Sequence, residues 1–424
     1  VSSALGPELF GSTENWPATW VPDDEQARRL TFVPVDEIVD YVVDTNNPWH
    51  HRFSCARALH ARTPFDRADM LLGVVRNVAD EEMVRLQVMR LLCSFQGPHV
   101  RALLGWLREP SGFENSVRAQ TEFLTARAVL GDVDAARPLL AAVGDSYLGM
   151  DEEKAITALI VRHGLSAVLD IDSPRTLMLA GDTSAARRLG VRLCEQTGID
   201  ITPALADPSV IVARDAYDLA VEHGPHRDFD RLPEVIALAA QPGPGRFWAL
   251  AVAAARGRIE LVRAVWEELG SPRIELPRVP ADVRAAILRH YVPAGSRTDP
   301  RWLIEAALLA PVAAPDERDL VNRAVAALAA AGLRPGQPIS AAEEWRQGAG
   351  TYYVIETSAG HVTVSTLGPF VRAVGDVGEV QAALPEFRHI DEELACTVFT
   401  GLAVSDFGGP GPQPIGQLLF NWHD

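Results

Sequence analysis

Between about residues 50 and 335, apolar side chains recur at helical spacing, and no β-branched stretch alternates strictly with polar residues. A stretch patterned this way buries its apolar stripes by packing helix against helix rather than by building a sheet. Val84, Val88, Leu91, Leu92 and Phe95 draw one helix face. Asp80 is the expected N-cap of that helix, Glu81 and Glu82 suit the positive end of its dipole, and Gly97-Pro98 ends it. Phe113, Val117, Leu124 and Ala128 fall on one side of the next helix. Upstream, PVDEIVDYVVD at 34–44 reads as a helix stopped by Asn46-Asn47-Pro48, where turn formers meet the restraint that proline places on its predecessor. Abundant alanine favours helix and lets neighbouring helices approach closely.

The helix starts carry a faint repeat. GDVDAARPL begins at Gly131, GDTSAARRL at Gly181 and GRIELVRAV at Gly257, each with arginine six positions on, at Arg137, Arg187 and Arg263. Glycine can end the preceding helix with positive φ, while Asp132 or Asp182 helps cap the next. The third copy, AVAAARGRIELVRAVWEELG at 251–270, resembles the second half of an ankyrin repeat through Ala253-Ala254, Gly257 and Glu260-Leu261-Val262. Trp248-Ala249-Leu250-Ala251 occupies that family's TPLH turn position. The resemblance spans some twenty residues and implies stacked antiparallel helices. Copies 50 and 76 residues apart suit HEAT-like or irregular pairs better than a strict ankyrin array.

Around Gly332 and RPGQPIS at 334–340 the texture changes. Tyr352–Ile355 and His361–Ser365 flank a turn containing Ser358-Ala359-Gly360, a hairpin signal. A short strand FVRAV follows Gly368-Pro369, residues 376–384 read as a helix, and 394–404 mixes both signals. A loop at 406–416 leads to the aromatic end LLFNWHD. The expected fold class is mostly α: an irregular helical-repeat (HEAT/ankyrin-like) array over 31–335, then a small α+β domain over 341–424. Residues 1–30 form an irregular acidic N-terminal arm, pinned to the body by Trp16 and Trp20. The α+β segment is small enough to need docking against the helical body.

The 39 basic and 56 acidic side chains give a net charge of −17. Eight acids against Arg28 and Arg29 make residues 1–40 carry −6, and eight against Arg388 make residues 376–424 carry −7. Acidic ends oppose polyanions, so the reading is no nucleic acid and no membrane as partner, with a basic patch possible only in the middle. Lys154 is the only lysine, which removes most candidates for Schiff-base or phosphate-gripping chemistry. Cys55, Cys93, Cys194 and Cys396 match no zinc knuckle, CxxC pair or dense disulfide framework, and fit a reducing cytoplasm. The opening VSSALGPELFGSTENW does not resemble a signal peptide, and no apolar run reaches membrane-spanning length.

Polar clusters are few. DTNNPWHHRF holds Asp44, His50 and His51, where one imidazole and the carboxylate would form a base-orienting pair. HGPHRDFD holds His223, His226, Asp228 and Asp230, which reads as a solvated loop because Gly224-Pro225 makes a turn and the spacing matches no metal motif. His163 before Gly164 reads as a helix-end histidine, and Glu122, Glu152 and Glu153 as solvent-exposed acids. There is no GxGxxG, Walker A or GxSxG, and no cofactor or metal is implied.

The expected function is a protein- or peptide-binding scaffold using a helical-array surface, with Arg137, Arg187 and Arg263 available to an acidic peptide. The alternative is an enzyme acting on a small organic molecule in a helical pocket. There His50 or His51 would shuttle the proton, Asp44 orient the ring and Trp49 supply an apolar wall. An enclosed apolar pocket faced by His50 or His51 would favour the enzyme. An open groove with exposed tryptophans and spaced arginines would favour a partner.

Overall fold

The computed structural model describes residues 30, 32–62, 64–95, 103, 105, 107, 113, 116–222, 232–243, 245–292, 298–346, 348–404 and 411–423. Among these the chain is mostly helical, with a small sheet region near its C-terminal end. No described helix is long and apolar enough to cross a membrane. Trp16, Trp20, Gly97-Pro98, His99, the cluster from His223 to Asp230 and residues 406–410 lie outside the described residues. Two compact units meet in sequence between Ile199 and Asp200.

The first unit comprises α1 (Val35–Val43), α2 (Trp49–Ala58), α3 (Ala68–Arg76), α4 (Glu82–Cys93), α5 (Val117–Val129), α6 (Ala136–Val143), α7 (Met150–His163), α8 (Leu165–Leu169), α9 (Pro174–Ala180) and α10 (Ser184–Gln196). Helices pack on near neighbours in sequence: α1 on α2 and α3, α2 and α3 on α4, α4 on α5, α5 on α6 and α7, α7 on α8, and α9 on α10, which returns to α6. One apolar core runs through them, including Ile38, Leu71, Val88, Leu124, Leu139, Ile156 and Leu189. The α4 stripe lies in that core as its spacing predicts, since Val84, Val88, Leu91, Leu92 and Phe95 are all buried.

Several local expectations are corrected. Asp80 does not cap α4; Glu81 holds the N-cap position without a side-chain bond, and Asp80 is drawn away by Arg52. Val117 is exposed because it occupies the first position of α5, ahead of the turn that packs, and the cap there is Ser116 accepting from the Ala119 amide. Asp132 is buried in an ion pair with Arg127 instead of capping, and Thr183 rather than Asp182 caps α10. Gly131 and Gly257 have positive φ as expected, but Gly181 has φ −60°, so the three sequence copies turn differently. Glu122 is not a lone acid: Arg90 and Arg118 reach it at 2.7 and 3.2 Å.

The second unit begins with α11 (Val210–Glu222), α12 (Leu232–Ala240), α13 (Gly245–Ala255) and α14 (Ile259–Glu268), followed by α15 (Ala281–Tyr291), α16 (Pro300–Leu308) and α17 (Glu317–Ala330). Helix α13 is the hub, packing against α11, α12, α14 and α16. Its alanines permit this: Ala249, Ala251, Ala253 and Ala254 are all buried.

Strands β1 (Ile339–Ser340), β3 (Tyr352–Thr357), β4 (Gly360–Ser365), β5 (Phe370–Gly375) and β6 (Arg388–His389) form one sheet in that order, after a short β2 (Ala349–Gly350) that pairs elsewhere. The pairs are antiparallel except β5–β6. The β3–β4 register places Ile355 opposite Val362, and both side chains are buried. Helix α17 lays Leu320, Ala324 and Leu328 on this face, while Val283, Ile287 and Trp302 of α15 and α16 share a core with Phe370, Phe399 and Leu418. The strands therefore do not build a core alone, as their number and length require.

Candidate functional site

Helix α2 starts directly after Pro48 and carries Trp49, His50 and His51 in its first turn. His51 is buried, 7% exposed, with its Nδ1 3.3 Å from the Tyr41 hydroxyl. The two imidazoles meet edge to face with centroids 4.5 Å apart, and Trp49 sets its ring against His50 at 5.6 Å. Burial, then the neighbouring His50, pushes the His51 pKa down to about 4, and burial lowers that of His50. Burial, with Cys55 and Asp44 nearby, pushes the Tyr41 phenol up to about 12, and burial raises the Cys55 thiol as well. The cluster is therefore neutral at pH 7, and a base of pKa about 4 is poorly matched to proton abstraction there.

Asp44 does not complete a base-orienting pair. Its exposed carboxylate accepts from the Asn46 main-chain amide at 3.0 Å and from Asn46 Nδ2 at 2.8 Å, closing the turn that ends α1. Sequence proximity suggested the pair. Local turn chemistry took the carboxylate first.

The neutral histidine has a pH consequence. The folded-state pKa of His51 lies below that of an unfolded histidine, so its contribution is fully present above about pH 6.5 and is lost as pH falls towards 4. The loss amounts to about 2–3 kcal/mol. Thermal unfolding at pH 7.5 and pH 4.5 should show His51→Gln losing less stability on acidification than the native chain. An equal loss in both would mean that His51 titrates as if exposed.

Two open clefts stand apart from these histidines. In the first unit, a cleft of about 850 Å³ is bordered by α7, the preceding Tyr147–Leu148 segment and the end of α10. Helix α7 buries Ala155, Ile156 and Leu159 in the core, yet turns Met150, Lys154, Thr157, Ala158 and Val161 to the cleft. Met150 is 68% and Val161 82% exposed. Arg162 and Arg192 also line it, with Arg192 3.3 Å from Glu153, and Arg188 stacks over the Tyr147 ring at 4.0 Å. Glu153 is thus not the solvent-exposed acid expected. Neither Lys154 nor Arg162 has an ion-pair partner among the described residues.

In the second unit, a cleft of about 740 Å³ lies among α13, α15, α16 and the extended segment 309–315. Its walls are largely alanine, leucine and proline, with Arg289, His290, Glu317, Tyr217 and Thr366 as polar members. Arg289 reaches the Ala310 carbonyl at 3.3 Å across this segment. Neither cleft is lined by His50, His51 or Asp44.

Comparison of the chain with protein-family models, curated proteins and solved structures gives no match. The site residues therefore stand on geometry alone. Among the described residues no group of three or more His, Cys, Asp or Glu side chains is placed to hold a metal ion.

The arginines singled out by the repeat are engaged within their own units. Arg137 faces Asp170 at 3.6 Å, Arg187 donates to the Gly181 carbonyl at 3.0 Å, and Arg263 is 4.0 Å from Glu260. Of the described tryptophans, Trp248, Trp266 and Trp302 are buried, Trp49 and Trp422 are half-buried, and Trp345 is exposed with its ring tilted against that of Trp422 at 5.1 Å. Sequence reading missed Met150, Ala158 and Val161. The signal was present, because α7 has apolar residues beyond those one buried stripe needs.

Proposed function

We propose that this chain binds a protein or peptide partner, acting as an irregular helical-repeat scaffold of HEAT-like or ankyrin-like character. The observation that carries the reading is the exposed face of α7, where Met150, Ala158 and Val161 stand open to solvent along a cleft with cationic edges. Exposed apolar side chains gathered along one helix are a common mark of an interaction surface. Sequential packing of the helices in the first unit supports the scaffold part of the proposal. A photo-reactive benzoyl-phenylalanine in place of Val161 should cross-link a discrete partner from cell extract, whereas the same probe at exposed Arg76 should not. The same products from both positions, or none from either, would remove the proposal.

The cleft of the second unit supports a second reading. Its volume of about 740 Å³ and apolar walls suit a small organic molecule. Acid–base chemistry there would fall to His290, Tyr217 or Glu317 rather than to His50, His51 and Asp44.

A further inference from the structure

We infer that the α7 cleft takes an acidic amphipathic helix of a partner protein, an inference that rests on the partner-binding reading and names the chemistry of the partner. Shape comes first. Met150, Lys154, Ala158 and Val161 follow one another at spacings of four, four and three, so they form a single ridge along α7. At 1.5 Å per residue this ridge runs about 16 Å, roughly three turns of a docked helix. The Tyr147–Leu148 segment closes one end, and Arg192 and Gln196 stand alongside. A ridge of this kind packs into the groove of another helix. The first unit offers no strand among its described residues, so an extended peptide has no sheet edge to join.

Charge selects the partner's other face. Lys154 and Arg162 are uncompensated among the described residues, whereas Arg192 is already opposed by Glu153. Asp151 and Glu152 lie in the first turn of α7, where the helix dipole holds them, and neither lines the cleft. The cleft is therefore locally cationic in a chain of net charge −17. A partner helix with leucine-type residues on one stripe and glutamates beside it would cover Met150, Ala158 and Val161 and pair with Lys154 and Arg162. Two cations without an ion-pair partner among the described residues are too few to hold a polyanion against the remaining acidity of the chain.

The test uses the full chain and a fluorescein-labelled peptide of about 18 residues, long enough for the ridge, with leucines at helical spacing and flanking glutamates. Its controls are a scrambled peptide, a version with lysine for every glutamate, and a short single-stranded oligonucleotide. The acidic helix should bind, with affinity falling as salt rises, and the controls should bind at least about tenfold more weakly. Val161→Asp, and Lys154→Glu combined with Arg162→Glu, should each weaken it by about tenfold or more while leaving the circular dichroism unchanged, because all three side chains are exposed. Lys154 supplies a second readout. It carries the only ε-amine, so its acetylation by an N-hydroxysuccinimide ester, followed by peptide mapping, should slow at saturating peptide. Equal binding of the scrambled peptide, tighter binding of the lysine peptide or oligonucleotide, or undiminished Lys154 acetylation would overturn the inference. If the Val161 cross-linker captures a partner while the acidic helix fails to bind, the acidic-helix inference falls and partner binding stands. If both fail, both fall.

Discussion

Arg52→Ala should destabilise the first unit by about 3–5 kcal/mol. The Arg52 and Asp80 side chains are 2% and 3% exposed and meet through two bonds of 2.6 Å, Nη1 to Oδ1 and Nη2 to Oδ2. Arg52 Nε donates to the Val42 carbonyl at 2.7 Å, so the same guanidinium ties α1, α2 and the turn before α4. Burial alone would raise the Asp80 carboxyl, but the Arg52 bonds and the Glu81 amide bring its pKa below the ordinary value. Removing Arg52 leaves that charge buried without its partner, which is why the cost exceeds the worth of the pair itself. Urea unfolding of the single variant should show the loss. The double variant Arg52→Met/Asp80→Leu should recover part of it, since neither member of the pair is then left alone, while buried Arg85 loses the attraction of the Asp80 carboxylate. Arg67→Ala is the contrast: its bonds to Asp36 and Asp40 are exposed, so it should cost far less stability than Arg52→Ala. A loss at Arg52 no larger than at Arg67 would refute the buried pair.

Gly190→Ala should cost about 2 kcal/mol or more, although alanine is the better helix former. Gly190 lies inside α10 where that helix crosses α9, and a methyl group there would sit 2.6 Å from Met178 Cα and 2.7 Å from the Leu177 carbonyl carbon, with the Met178 amide nitrogen closer still. These are backbone atoms, so no side chain can move aside; the two helices must separate. Gly73 supplies the control, because it is exposed inside α3 and a methyl group there meets nothing within 4 Å. Gly73→Ala should therefore stabilise the protein by about 0.5–1 kcal/mol. Thermal melts of the two variants should move in opposite directions. If both move upwards, α9 and α10 are not in backbone contact.

Much of the element content was legible because periodicity is a local property. The α4 stripe, the stop after α1 and the β3–β4 hairpin each follow from neighbouring residues. Caps were less legible, since Asp80 and Asp132 are as suitable for capping as Ser116 or Thr183 until an arginine competes for the carboxylate. The candidate site was least legible. Asp44, His50 and His51 are close in sequence, but a turn bond to Asn46 holds the carboxylate away. The groove on α7 shows in the sequence only as surplus apolar residues on one helix, because Met150, Ala158 and Val161 match no motif.

What the sequence determined by itself is that residues from about 50 to 335 fold mainly as helices and that a short strand region follows, because backbone preference and apolar spacing act over a few residues. Only the tertiary structure decided which glycines touch backbone, which arginines neutralise buried acids, and that no described residue covers one face of α7. Those outcomes depend on segments far apart in the chain competing for the same space and the same charge.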